Sequence, residues 1–205
     1  MGLLRERIVQ EASALFFTKG VKGMTMSDIA NELGISKRTL YEIFSDKEEL
    51  LEICINLNME KVDRETRELF SDSEDVIDTL MRIYASHLRN VQNVNKSFIH
   101  DLRKYHTAIF KKIENRQKES INSFLPLFEK GVAQGLIRGD VKFEVLIWLL
   151  KSQFKALMDD DFIPTDKYST NEFIRAIILN FIRGISTPLG NEKVDKIVLE
   201  LEKRQ

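Results

Sequence analysis

Cysteine and proline are scarce in this chain of 205 residues, and long uncharged apolar runs are missing. A single cysteine, Cys54, excludes an internal disulfide framework and is typical of a protein kept in a reducing compartment. No uncharged apolar run reaches the length of about 18 residues that a membrane helix needs. The charged, amphipathic N-terminus does not resemble a signal peptide. We therefore expect a cytoplasmic protein without a membrane span.

Only three prolines and nine glycines interrupt the chain, and no stretch sustains the alternation that is typical of a strand. Apolar residues recur instead at helical spacing, which predicts an all-α protein. Lys and Arg total 31 against 32 Asp and Glu, so the formal net charge is -1. Because no global positive charge attracts nucleic acid, any binding of DNA has to come from locally placed side chains.

The stretch from Thr25 to Lys47 has the pattern of two short helices joined by a tight turn. Thr25 and Asp28 have capping-box spacing, Gly34 suits the left-handed turn, and Ser36 can cap the second helix. The first turn of that second helix would expose basic and hydroxyl side chains, which suits the major groove of DNA. The stretch is therefore predicted to be a helix-turn-helix.

The rest of the chain is also predicted to be helical. Capping-box spacing marks two further helix starts, Ser45 with Glu48 and Ser71 with Glu74. Pro126 falls inside a helical pattern, so a kink or an early break is expected there. The helices predicted from apolar spacing cover roughly residues 3–19, 46–70, 76–91, 97–106 and 107–131.

Two C-terminal segments, 141–158 and 171–185, have apolar residues on more than one helical face. Such helices must be buried on most of their circumference. They are either the central core helices of a monomer or, as we favour, helices with one face in the core and another in a twofold four-helix interface. The residues predicted for that interface are Leu146, Leu149, Gln153, Leu157, Ile174, Ile178 and Ile182.

From Ile8 to Leu51 the sequence resembles the N-terminal domain of the tetracycline-repressor (TetR) family of bacterial transcription regulators. The run SKRTLYEIF, followed by DKEELL, is the most telling part. The matching residues are Ala12, Phe16, Gly20, Thr25, Ile29, Ala30, Gly34, Ser36, Leu40, Tyr41, Phe44, Lys47 and Leu50. The resemblance implies a homodimer, with a three-helix DNA-binding domain at residues 1–48 and a larger helical ligand-binding and dimerisation domain at residues 49–205.

The resemblance also implies which side chains meet a double-stranded DNA operator. Thr25, Tyr41 and Lys47 are expected to contact phosphates. Lys37, Arg38 and Thr39 are expected to approach base edges or the backbone, and Ser36 joins the site mainly as a helix cap. Two positions depart from the pattern: Ile43 stands where many members carry His or Tyr, and Glu42 either accepts from a cytosine amino group or repels the backbone.

A family-like protein would be a repressor that a small hydrophobic or amphipathic effector releases from its operator. The sequence offers an aromatic set in the middle helices whose commonest role is plain core packing. The residues predicted to line an effector pocket are Tyr84, His87, Phe98, Tyr105, Phe124, Phe128, Gln153 and Phe154.

No catalytic or metal-binding motif is recognisable. His100 and His106 lie six residues apart, which is not the step that aligns two ligands on a helix. Cys54 lies on an apolar helix face and is expected to be a core residue rather than a redox sensor. We therefore expect no metal, no cofactor and no enzymatic activity. The alternatives are a helical enzyme with a hydrophobic pocket and a protein-interaction module that no longer reads DNA.

Overall fold

The computed structural model describes residues 2–71, 75–92, 95–119, 122–157 and 167–203. Within these ranges the chain forms α-helices, one 3-10 turn at residues 122–124 and no strand, which confirms the all-α prediction. The helices are α1 (Gly2–Lys19), α2 (Met26–Glu32), α3 (Lys37–Ile43), α4 (Lys47–Ser71), α5 (Val76–Gln92), α6 (Lys96–Tyr105), α7 (Thr107–Glu119), α8 (Leu125–Ala133), α9 (Phe143–Leu157), α10 (Thr170–Ile185) and α11 (Pro188–Glu202).

The chain divides into two compact units. The first comprises Met1–Glu65 and Asn93–Asn115, and the second comprises Thr66–Gln92 and Arg116–Gln205. The first unit therefore contains more than the three N-terminal helices, because most of α4, the whole of α6 and most of α7 belong to it. The division of function at residue 48, which the resemblance implies, stays a prediction.

The core of the first unit is built around α1, which packs behind the two short helices. Phe16 of α1 is 1% exposed, and Leu40 of α3 is fully buried. Leu102 of α6 belongs to the same core and is also fully buried. Truncating a buried leucine to alanine costs about 2–5 kcal/mol, so these contacts hold the short helices in place. Isolated helices of seven residues would not be stable in water.

The second unit has its own core, formed from α5 and α8 to α11. Phe128 stacks on Phe143, with ring centroids 4.6 Å apart, and meets Phe181 edge-on at 6.4 Å. Ile77 of α5 and Val194 of α11 are fully buried beside them. This core contains the inward faces of α9 and α10, the helices of the two apolar C-terminal segments.

Burial corrects four of the residues predicted for the interface. Leu157, Ile174, Ile178 and Ile182 are 5%, 0%, 8% and 1% exposed within their own chain. A side chain that is already covered by its own chain has no surface left to bury against a partner, so these four are core residues. Leu146 is half-buried, whereas Leu149 and Gln153 are exposed.

The helix ends show which local signals hold. Pro126 lies in the first turn of α8, after the 3-10 turn, so the predicted early break is confirmed. At the start of α4 the predicted pair Ser45 and Glu48 is wrong, because Asp46 accepts from the Glu49 amide at 2.8 Å and Glu49 binds the Ser45 amide and hydroxyl. The pair Ser71 and Glu74 lies outside the side chains that the structure describes.

Helix α11 was not predicted from apolar spacing. It begins with Thr187, whose hydroxyl accepts from the Gly190 amide at 3.1 Å, and with Pro188 in the first turn. A Thr cap followed by proline is a recognised helix start, and this signal would have found the helix.

Candidate DNA-binding site

The first short helix, α2, starts at a complete capping box. The Asp28 amide donates to Thr25 Oγ1 at 3.2 Å, and the Asp28 carboxylate accepts from the Thr25 amide at 2.8 Å and from its hydroxyl at 2.6 Å. The two hydrogen bonds that Thr25 donates lower the pKa of Asp28, and the one from the Thr25 hydroxyl has the larger effect. Thr25 is exposed. It therefore fixes the start of α2 at a surface position that a phosphate can reach.

The turn between the two helices depends on glycine. Gly34 has φ of +65°, a left-handed conformation that costs other residues about 1–2 kcal/mol. The chain then enters α3 through Ser36, whose Oγ accepts from the Thr39 amide at 3.0 Å and lies 2.8 Å from the Thr39 hydroxyl. Ser36 therefore caps α3, as predicted from the sequence.

The orientation of α3 follows from its buried face. Leu40 is fully buried and Phe44, which ends the helix, is 1% exposed. Arg38 lies roughly opposite that face and is exposed. Lys37 is exposed in the first turn, and Tyr41 is 46% exposed with the Lys37 ammonium 5.8 Å from its ring centroid. The structure thus exposes Lys37, Arg38 and Tyr41 on α3, whereas the predicted Thr39 is half-buried with its hydroxyl beside the Ser36 cap.

Glu42 lies one turn after Arg38, and the Arg38 Nε donates to its carboxylate at 2.9 Å. The Arg38 side chain is 88% exposed. Exposed pairs one helical turn apart stabilise by less than about 1 kcal/mol, so Arg38 can exchange this partner for a base. Ile43, by contrast, is half-buried and packs against the core of the first unit. That packing explains why an apolar residue is tolerated there.

Lys47 has a second role that the sequence did not reveal. Its ammonium donates to the carbonyls of Val21 and Met24, at 3.1 and 3.0 Å, and its side chain is half-buried. The lysine therefore ties the first turn of α4 to the loop that precedes α2. An ammonium has three N–H donors, so one is left for a phosphate.

Helix α6 makes contacts with this region that sequence reasoning missed. The buried Asp101 carboxylate accepts from the amides of Val21 and Lys22. His106 Nδ1 lies 2.5 Å from the Glu48 carboxylate, so this histidine pairs with α4. A carboxylate on an otherwise apolar helix face was the available signal for Asp101, but its partners are about 80 positions away along the chain.

The family match agrees with this geometry. The model of bacterial regulatory proteins of the tetR family matches residues 8–54. Over 184 residues the chain is 25% identical to the HTH-type transcriptional regulator YvaF of Bacillus subtilis, covering 88% of this chain and 95% of that protein. The chain belongs to the TetR family. It is a DNA-binding transcriptional regulator, and α2 and α3 are its helix-turn-helix.

Two further comparisons extend over most of this TetR-family chain. It is 22% identical over 146 residues to the transcriptional repressor KstR2 of Mycolicibacterium smegmatis, covering 69% of this chain and 71% of that one. The structure of a transcriptional regulator from Saccharomonospora viridis, determined in complex with choline, superposes with a TM-score of 0.73 at 20% identity and covers 91% of this chain and all of that one. The structural likeness supports the fold.

The residues predicted for an effector pocket are divided between the two units. Tyr84 and Phe128 are buried in the second unit, where Phe124 and Phe154 are half-buried and Gln153 is exposed. The side chain of His87 lies outside the described part. The other two predicted pocket residues, Phe98 and Tyr105, belong to the first unit. Phe98 packs on Phe17 with ring centroids 4.6 Å apart, and Tyr105 is exposed.

Cys54 is 1% exposed, and burial raises the pKa of its thiol to about 12. This confirms it as a core residue, because a redox sensor needs an accessible thiolate. Among the residues that the structure describes, no three His, Cys, Asp or Glu side chains converge as metal ligands do. Nor is any helix in these ranges long and apolar enough to span a bilayer.

Proposed function

We propose that this regulator binds a twofold-symmetric operator as a homodimer, represses transcription in the bacterial cytoplasm, and is released by a small effector bound in the second unit. The observation that carries the DNA-binding part is the exposed first turn of α3. Lys37 and Arg38 are exposed there, and Arg38 lies roughly opposite the buried Leu40 and Phe44, so a major groove can receive them. Arg38 would read guanine through a bidentate contact, and Thr25 and Tyr41 would fix the register on phosphates.

The dimer would form through the outward faces of α9 and α10. On α9, Val145, Trp148 and Leu149 are 53%, 48% and 54% exposed. On α10 the exposed positions 176, 180 and 184 are Ala, Asn and Gly, which share one face and allow a second helix to approach closely. A twofold axis through this surface would cover the apolar side chains. A dimer has two DNA-reading helices, one for each half-site of a symmetric operator.

The effector would bind among the aromatic side chains of the second unit. Tyr84 is 4% exposed, and burial raises its pKa while the charge of Arg175 opposes that shift. A buried phenol near a guanidinium can orient the polar end of a ligand whose apolar body lies against Phe124, Phe128 and Phe154. We therefore expect an amphipathic ligand. The Saccharomonospora viridis regulator, solved with choline, is a structural neighbour with a bound small molecule.

The DNA-binding proposal is tested by titrating the full-length protein with the upstream DNA of its own gene and with a scrambled duplex. Arg38→Ala should abolish the preference for the upstream DNA. Lys47→Ala should weaken binding to both duplexes about equally, because phosphates carry no sequence information. Lys196→Gln removes an exposed positive charge from α11 and is the control for charge alone.

An equal loss on both duplexes with Arg38→Ala would contradict the assignment of α3 as the base-reading helix. Failure of the wild-type protein to bind either duplex would favour the protein-interaction module. Adding candidate amphipathic ligands to the bound complex then tests release. A ligand that binds the protein without weakening the complex would contradict effector control by that ligand.

A further inference from the structure

Three side chains of the first unit converge outside the helix-turn-helix. The ammonium groups of Lys22, in the loop before α2, and of Lys104, on α6, lie 5.0 and 5.4 Å from the ring centroid of Tyr105. Both lysines are exposed, and Tyr105 is 46% exposed. An aromatic ring flanked by two cations thus lies on the surface, at the C-terminal end of α6.

The charge at this point is positive. The hydrogen bond from Lys22 is the largest cause that lowers the pKa of Tyr105, and Lys104 acts in the same direction. The carboxylate on the preceding turn of α6, that of Asp101, is buried and accepts from the backbone amides of Val21 and Lys22. The Asp101 oxygen that accepts these bonds is therefore engaged with the backbone and covered.

The three side chains are close to the proposed phosphate-contacting surface. Lys22 lies between the two residues, Val21 and Met24, whose carbonyls accept from the Lys47 ammonium. Tyr105 directly precedes His106, which pairs with Glu48, the neighbour of Lys47. One contact therefore joins the loop of Lys22 to the first turn of α4, and another joins the end of α6 to that turn.

We propose that Lys22, Lys104 and Tyr105 form a second phosphate-binding site, through which α6 holds the DNA backbone beside the helix-turn-helix. This inference rests on the proposed function, because it needs the protein to be bound to DNA. Two ammonium groups and a phenol hydroxyl supply several donors to phosphate oxygens. The site also provides local positive charge in a chain whose net charge is -1.

A purely structural role for the cluster makes a different prediction. Cations stacked on an exposed ring stabilise by roughly 0.5–1 kcal/mol, and in that case removing them would lower stability without changing how DNA binding depends on salt. Binding a phosphate releases counterions, so the slope of log affinity against log salt falls by about 0.9 for each phosphate that the protein no longer neutralises. The salt dependence therefore separates the two roles.

The experiment compares the full-length wild type with Lys22→Gln/Lys104→Gln on duplexes of about 40 base pairs, long enough for two half-sites with flanks. One duplex carries the upstream DNA of the gene and the other is scrambled. Affinity is measured by fluorescence anisotropy over a salt series. We expect the slope to fall by about 0.9 per phosphate released from the site, on both duplexes alike. The melting temperature should fall by no more than the loss of the two cation–ring contacts requires. Tyr105→Phe should give a smaller loss of affinity, since it keeps the ring and removes the hydroxyl.

Lys196→Gln removes one charge from an exposed position on α11 and should leave the slope unchanged. A slope for the double variant equal to that of the wild type would overturn the second site. A loss restricted to the upstream duplex would also overturn it, because it would indicate base reading. If the wild type binds neither duplex, the proposed function itself fails, so the two failures are distinguishable.

Discussion

The Asp101 carboxylate of α6 accepts hydrogen bonds from the backbone amides of Val21 and Lys22, at 3.0 and 2.7 Å. These amides follow Gly20 and have no helical partner, so the aspartate does for the loop what a capping residue does for a helix. At the start of α6, the backbone amide of Asn95 donates a hydrogen bond to the Phe17 carbonyl at 2.7 Å. The start and the middle of α6 therefore hold the junction between α1 and α2.

Asp101→Ala should lower the free energy of unfolding by roughly 2–4 kcal/mol, because it leaves buried amides without an acceptor. Asp101→Asn keeps an acceptor oxygen and loses the charge, so its effect should be about half as large. Urea denaturation measures both. Glu11→Ala is the control, since its exposed pair with Arg7 should contribute less than about 1 kcal/mol. Equal stability of Asp101→Ala and wild type would remove the capping role.

Gly20 and Gly34 form a matched pair for a second prediction. Both have positive φ, at +82° and +65°, but a Cβ on Gly20 would lie 2.6 Å from Ser97 Oγ, whereas one on Gly34 meets nothing within 4 Å. Gly34→Ala should therefore cost only the backbone strain of about 1–2 kcal/mol. Gly20→Ala should cost roughly 0.5–1.5 kcal/mol more, because the exposed Ser97 side chain has to leave its rotamer, measured by the same denaturation.

The added Ser97→Ala substitution checks the cause of that difference. It removes the hydroxyl and leaves Ser97 Cβ at 3.6 Å, an ordinary contact. The double variant Gly20→Ala/Ser97→Ala should then be as stable as Gly34→Ala relative to wild type. A double variant no more stable than Gly20→Ala would show that the clash is not with this side chain.

The proposed dimer surface predicts that Leu149→Glu makes the protein monomeric while leaving its helix content unchanged. A charge at this position would be buried without a partner in the dimer. Leu199 of α11 is the matched control, because it is 56% exposed against 54% for Leu149, and Leu199→Glu should remain dimeric. Sedimentation velocity distinguishes the two states. If Leu149→Glu and Leu199→Glu both remain dimeric, the interface does not include Leu149.

The lowered pKa of Asp75 predicts that the stability of the protein depends on pH. Burial alone would raise its pKa, but the hydrogen bonds from Lys193 and from the amides of Ile77 and Asp78 outweigh burial and lower it. Its stabilising contribution is therefore present above the ordinary aspartate pKa of 3.8 and is lost as the pH falls through the lowered value.

Asp75→Asn should accordingly be less stable than the wild type near neutral pH, and the difference should shrink in acid. Urea denaturation at about pH 6 and about pH 3 measures it. Comparing the two proteins at each pH removes the contribution of the other carboxylates. A difference that is the same at both pH values would contradict the charge-assisted role of Asp75.

Local signals in the sequence predicted much of the DNA-binding half. The capping box at Thr25, the left-handed Gly34 and the Ser36 cap were predicted and are present. Each depends on residues three or four positions apart. The buried face of α3 follows from Leu40 and Phe44 in the same way. The predicted cap at Ser45 is wrong because the adjacent residue, Asp46, is also polar and caps α4 instead.

The chain by itself thus determined that it is helical, where its short helices start and which side of α3 is exposed, because these depend on backbone capping and on a period of 3.6 residues. Only the tertiary structure decided that Ile174 and Ile178 face inward, that Lys47 binds a loop and that Asp101 holds the Val21 and Lys22 amides. The physical reason is range. Burial and hydrogen bonding between residues about 80 positions apart depend on packing, which no periodicity of one helix encodes.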